Sequence, residues 1–305
     1  MEKINKKEWG KSIASFMLVL LMMPLGHALM IVMEHTMSPT TLHFAAFAMG
    51  AAGLATVVAG VFVSGDTRQT LFGLTGGMLF WTGWVEFLFM YYAGRFGTQP
   101  LVDPATGEIV TRPEYLIMPA SFGFWMMVMT LYLFCSSTGC NFINWLQRHL
   151  LGSKRPRRVA GSMTRHVAIV TFMELVMIMW VSYLLLMFCY DDVFLGDRHP
   201  VTIAIGAACL AGAGMIFARQ LRLPSWGANI RMAIATVIVF WMPVEILGRI
   251  GLLKEIWIEP MEYIAEMTII LITFILLYAF LWSGARNVRS AVRSSRNDAS
   301  RTNSH

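Results

Sequence analysis

Apolar residues recur in eight stretches along the chain, at about 12–36, 41–64, 69–93, 115–136, 166–190, 200–218, 229–248 and 263–284, separated by short polar connections. A bilayer core about 30 Å thick needs roughly 20 apolar residues per helix, and every stretch meets or approaches that length. The pattern predicts an all-α integral membrane protein with about eight transmembrane helices. Its first apolar stretch is long enough to span and lacks a small-residue cleavage site, so it reads as a retained helix rather than a removable signal.

Composition agrees with a lipid environment: the chain is 56% hydrophobic and only 14% charged, with a mean hydropathy of +0.59, too few charges to clothe a soluble surface. The charges that remain are sorted. Lys3, Lys6, Lys7 and Lys11 precede the first stretch, and Arg148, Lys154, Arg155, Arg157, Arg158 and Arg165 fill the fourth connection. Arg219, Arg222 and Arg231 bracket the sixth connection, and Arg286, Arg289, Arg293, Arg296 and Arg301 crowd the end. Eight spans put all four groups on one side, which the positive-inside rule makes cytoplasmic, with both termini there. The expected location is the inner membrane of a bacterium. The net charge of +6 is thus an orientation signal. Without interleaved aromatics it does not describe a nucleic-acid surface. The expected partners are the bilayer and, in one reading below, further membrane or periplasmic subunits.

The stretches also repeat. Phe80-Trp81-Thr82-Gly83-Trp84-Val85-Glu86, followed by Gly94-Arg95-Phe96-Gly97, returns as Phe240-Trp241-Met242-Pro243-Val244-Glu245, followed by Gly248-Arg249-Ile250-Gly251. The second and sixth stretches align with an offset of 156, which sets His43 on His199 and Gly50 on Gly206. The same offset sets Phe16-Met17 on Phe172-Met173, and an offset of 148 sets Glu114-Tyr115 on Glu262-Tyr263. Four matches in one order predict a tandem duplication. Since each unit holds an even number of spans, the two are like-oriented and related by an axis along the membrane normal. The expected organisation is a cytoplasmic segment 1–11, a four-helix repeat 12–140, a basic linker 141–165, a second four-helix repeat 166–285 and a disordered basic tail 286–305. The small residues of the second and sixth stretches serve close helix packing. Cys135, Cys140, Cys189 and Cys209 have no zinc-ribbon or haem-attachment spacing and are expected to be free thiols.

Depth along the spans gathers the unusual polar residues at the non-cytoplasmic end. Intramembrane carboxylates are costly when charged and face a cavity or a partner, so Glu86 and Glu245 lead the site candidates. His27 is the deepest histidine, its repeat equivalent is Tyr183, and Glu34 seven positions later falls near the same helix face. Arg95 with Arg249 and Glu114 with Glu262 complete the duplicated set. Their plain alternative is interfacial: helix ends, snorkelling and ion pairs. A metal ion would find imidazole and carboxylate in His35, His43, Asp191 and His199 if the helix ends adjoin. A bis-histidine haem b within the chain is not expected, because His27 has no partner at its depth. No HExxH, histidine box, GxSxG or phosphate loop occurs.

Three functions remain open. The first is a proton- or cation-coupled transporter or ion pathway through the duplicated carboxylates. The second is a non-catalytic membrane subunit of a quinone-linked respiratory or periplasmic electron-transfer assembly. The third is a membrane enzyme with an outward-facing metal site.

Overall fold

The computed structural model describes residues 6–102, 107, 109–135, 141–151 and 166–302, and within these the regular structure is helical apart from one short antiparallel pair of strands. Helices α1 (Lys6–Thr36) and α2 (Pro39–Phe62) are followed by a helical run in three pieces: α3 (Asp66–Phe80), a π-helical segment (Trp81–Glu86) and α4 (Phe87–Arg95). Strands β1 (Leu101–Val102) and β2 (Ile109–Thr111) pair antiparallel, and α5 (Pro113–Ile117), a 3₁₀ turn (Met118–Ser121) and α6 (Phe122–Cys135) come next. Then follow α7 (Asn141–Leu151), α8 (Val167–Tyr190), α9 (Pro200–Gln220), α10 (Trp226–Arg249) and α11 (Ile264–Thr302).

Six helices among the described residues are long and apolar enough to cross a membrane: α1, α2, α8, α9, α10 and the Ile264–Gly284 part of α11. This is a multi-pass membrane protein. Its helices divide into an inner set, α1, α3, α8 and α10, and a peripheral set, α2, α9 and α11, whose apolar residues face outward. Phe62 is 83% exposed and Met215 67% exposed, surfaces that only lipid or another apolar partner would cover.

Local chemistry sets the boundaries. Ser38 precedes Pro39, and Ser225 precedes Trp226; each serine accepts the backbone N–H three residues on and caps its helix. The duplicated Gly-Arg-x-Gly strings are helix endings. Gly97 and Gly251 both take left-handed φ, +67° and +78°, and the following N–H in each case bonds back five residues, Thr98 to Ala93 and Leu252 to Leu247. This is the Schellman closure, with the motif arginine in the last turn beside the free carbonyls.

Inside the bundle, α1 packs on α10 and α3 on α8, while α2 lies along α3 and α9 along α10. The α2–α3 approach is close because glycines meet there: a Cβ on Gly76 would lie 2.6 Å from the Gly53 carbonyl oxygen. Leu18, Val19, Leu71, Leu74, Leu175, Ile230, Ile234 and Val237 fill the space between the inner helices. Polar residues close the core at one end. Gln220 donates to Asn229 (2.9 Å) and to the Ser12 carbonyl (3.0 Å), and accepts from Thr236 (3.0 Å). Beside them Arg231 pairs with Asp66 at 2.9 Å. Since α1 climbs about 1.5 Å per residue, His27 lies about 22 Å from Ser12, at the opposite end.

α7 falls within the segment expected to be linker, whose remaining residues 152–165 lie outside the described residues, as do 1–5 of the amino-terminal segment. α11 continues as helix to Thr302, through residues where composition suggests disorder; no glycine or proline follows Gly284 to stop it. Residues 303–305 lie outside the described part.

Candidate functional site

At the end of the bundle opposite Ser12, the helix ends and the connections after α4 and α10 surround a cavity of about 790 Å³. α1 contributes His27, Ile31 and His35; the π-helical segment contributes Trp81 and Glu86. β2 and α5 bring Thr111, Arg112 and Tyr115, α8 brings Tyr183 and Tyr190, and α10 brings Trp241, Glu245 and Arg249. The connection 250–263 folds over the top with Glu255, Trp257, Glu259 and Glu262.

Glu86 ends the π-helical segment. There the Phe87 N–H bonds to the Thr82 carbonyl, five residues back, an extra-residue bulge of the kind that re-aims side chains at functional sites. Glu86 reaches His27, Oε1 to Nδ1 at 3.1 Å, and the two side chains are 13% and 18% exposed. The Tyr115 hydroxyl lies 3.5 Å from the same imidazole nitrogen. Behind them Trp81, Tyr183 and Tyr115 form a stack, with centroid separations of 5.6 Å and 5.8 Å and interplanar angles of 21° and 5°. Tyr183, which the sequence alignment sets on His27, lines the same cavity.

The second carboxylate centre pairs Glu245 with Glu255, whose side chains share a hydrogen bond. Two carboxyl groups can do so only by sharing a proton. Trp241 Nε1 donates to Glu245 Oε1 at 2.6 Å, and Trp257 packs on Trp241 with centroids 4.7 Å apart. Burial, and then the Glu245 charge beside it, pushes the Glu255 carboxyl up to about 8. The Glu255 carboxyl rests on the α10 backbone where position 248 is glycine: a Cβ there would lie 2.5 Å from Glu255 Cδ. The first glycine of the second Gly-Arg-x-Gly therefore makes room for the dyad, whereas the equivalent Gly94 faces open space.

Other residues hold the rim. Arg249 pairs with Asp197 at 3.0 Å and covers the Tyr190 ring at 4.7 Å. Arg112 bridges Glu34 at 3.6 Å and Glu114 at 4.0 Å; burial raises the Glu114 carboxyl above the usual carboxylate range. Glu262 approaches Lys254 at 3.9 Å, with both side chains exposed. Five carboxylates, Glu86, Glu245, Glu255, Glu259 and Glu262, thus line the cavity against His27 and two arginines that are already engaged by other acids. The balance is acidic.

Of the sequence candidates, His27, Glu86, Glu245, Arg249, Glu262 and His35 line the cavity, and Glu34 and Glu114 sit at its margin through Arg112. Arg95 does not join them: it is exposed on α4 with Tyr91 as its neighbour at 3.3 Å. The four proposed metal ligands are not assembled. His43 lies one turn inside α2 against Phe87 and Tyr91, whereas His199 caps α9 and accepts from Val201 N–H. Asp191 accepts from Val193 N–H, and His35 bonds the Ile31 carbonyl of its own helix. Among the described residues no group of three or more His, Cys, Asp or Glu side chains is arranged to hold a metal ion. Cys189 and Cys209 are free.

Arg112, Tyr115, Glu255 and Trp257 were not legible as site residues. Arg112 and Tyr115 flank the duplicated Glu114 and could have been found through that pair. Glu255 lies in a polar connection, where a carboxylate carries no signal. Comparison of the chain with protein-family models, with curated proteins and with solved structures returns no match.

Proposed function

We propose that this protein is a proton-coupled cation transporter, built from eight spans as two like-oriented four-helix units with both termini cytoplasmic in a bacterial inner membrane. The observation that carries the reading is the placement of two close pairs of ionisable side chains, His27–Glu86 and Glu245–Glu255, around one acidic cavity. A cation entering the cavity is stabilised by the carboxylates only when they are ionised, so binding a positive charge at Glu245–Glu255 releases the shared proton. The His27–Glu86 pair offers a second place where a proton can be held. Passage further requires the apolar layer of Leu18, Leu74, Leu175 and Ile234 to open toward Ser12, as alternating access demands.

The duplication supports this architecture. The contacts of α1 with α10 and of α3 with α8 are the same pair exchanged between units, as a two-fold axis requires. The segment 66–95 stays helical through its π-helical turn, a length of about 45 Å at 1.5 Å per residue, enough for the third span.

The test is flux in proteoliposomes under an imposed pH gradient, with tetramethylammonium and sodium as separate probes because neither crosses lipid unaided. Wild-type protein should accumulate one of them in a gradient-dependent way. Glu86→Gln and Glu245→Gln should reconstitute equally well and abolish the coupling. Flux that is gradient-dependent and unaltered in both variants would remove these carboxylates from the mechanism.

A further inference from the structure

A second cavity, about 840 Å³ and almost wholly apolar, runs along the flank of the bundle between α1, α3 and α11. Leu25 and Leu29 of α1 face Leu271 and Ile275 of α11 across it, and Leu271 and Ile275 are 44% and 53% exposed. It therefore opens sideways, at the depth where the helices cross the membrane. It also meets the acidic cavity: Met78, Pro260 and Met261 line both. Two of these three are methionines, whose unbranched thioether chains re-pack easily, so the wall between the two spaces is deformable.

We infer that the transported cation is an amphiphile: its positively charged head group occupies the acidic, aromatic-lined cavity, and its hydrocarbon tail lies in the lateral groove. This rests on the transport reading above and extends it to a substrate class. Three features select the occupant. The net acidity of the cavity favours a positive head over an anionic or zwitterionic one. Trp81, Tyr115, Tyr183, Trp241 and Trp257 all line the cavity, aromatic side chains of the kind that hold alkylated ammonium groups. An apolar groove continuous with that cavity accepts a chain without drawing it through water, so entry proceeds from the bilayer past Met78 and Met261.

A dodecyl ammonium salt carrying a diazirine at the chain terminus, with three methyl groups on nitrogen, tests this on the purified full chain in nanodiscs. Irradiation should place cross-links on α11 between residues 264 and 279 and on α1 near Leu25 and Leu29. An excess of tetramethylammonium, which fills only the head-group site, should reduce those adducts at least tenfold. Ile275→Trp, a change on the exposed wall of the groove, should lower cross-linking similarly while leaving quenching of Trp241 and Trp257 fluorescence by tetramethylammonium intact. Adducts spread evenly over α2, α9 and α11 and indifferent to competitor would mean ordinary lipid contact and overturn the inference while leaving cation transport standing. If tetramethylammonium neither quenches nor competes, and the long-chain probe labels no preferred site, the amphiphile inference falls, while the cation reading is decided separately by the sodium arm of the flux assay.

Discussion

Replacing Gly248 by alanine separates the role of the Glu245–Glu255 dyad from the stability of the helix that carries it. Position 248 has ordinary helical backbone, and a Cβ there would meet Glu255 Cδ at 2.5 Å and Oε1 at 2.6 Å. Relief to ordinary contact at 3.4 Å requires the carboxyl to move by about 0.9 Å (3.4 − 2.5), which breaks its hydrogen bond to Glu245. The obstacle is the far end of a flexible side chain, so the helix itself does not have to shift. Intrinsic propensity favours alanine over glycine inside a helix by about 1 kcal/mol, and the melting temperature should hold or rise. The proton affinity of Glu255 should fall. In the wild type the fold holds this proton more tightly than the unfolded chain between an ordinary carboxylate value and about 8. The folded state binds more protons in that window, so the closed connection 250–263 loses stability as pH rises through it. Trp257 sits two residues from Glu255 against Trp241 and reports the event by fluorescence. The wild-type emission should step near pH 8, and in Gly248→Ala the step should move at least one unit lower with far-ultraviolet dichroism unchanged. An identical midpoint in both proteins would refute the claim that Gly248 shapes the dyad.

Two further glycine changes should behave in contrasting ways. Gly251→Ala, three positions on in the same motif, forces a side chain into the left-handed region at φ +78° and should cost about 1 kcal/mol, read as a lower melting temperature without a shift of the pH midpoint. Gly83→Ala drives a Cβ to 2.4 Å from the Gly50 backbone nitrogen and 2.6 Å from the Ala46 carbonyl oxygen. Backbone cannot step aside as a side chain can, so α2 must move away from the π-helical segment. We expect a loss of about 2 kcal/mol or more and a poor yield of monodisperse protein. A melting temperature equal to wild type would show that this contact is looser than described.

What the sequence makes legible here is set by repetition and by cost. A carboxylate inside an apolar stretch is expensive, so Glu86 and Glu245 stand out, and both line the cavity. His27 stands out for the same reason and meets Glu86. The equivalence of His43 and His199 is a weaker kind of signal: an alignment through alanine and glycine tolerates slippage. α2 begins at Pro39, four residues before His43, whereas α9 begins one residue after His199, so the two imidazoles meet different surroundings. Glu255 is invisible for the opposite reason. Nothing distinguishes it from Glu259 until the connection folds back over α10.

The same contrast bears on how two similar strings of sequence build different pairs. Both strings close a helix with Gly-Arg-x-Gly and place a carboxylate near that end, Glu86 nine positions before Arg95 and Glu245 four positions before Arg249. The five extra residues in the first unit, together with its π-helical turn, carry Glu86 deeper, where the His27 imidazole of α1 can reach it. In the second unit the carboxylate remains near the helix end, within reach of a connection, and Glu255 comes down onto the space that Gly248 leaves open. Two copies of one local plan thus yield a histidine–carboxylate pair and a carboxylate–carboxylate pair. The two differ in chemistry: the first joins an imidazole, which gains charge with a proton, to a carboxylate, whereas the second joins two acids that gain charge only by losing one. Under the transport reading proposed above, that difference lets one pair give up a proton while the other holds one, whereas identical pairs facing one cavity would compete for it.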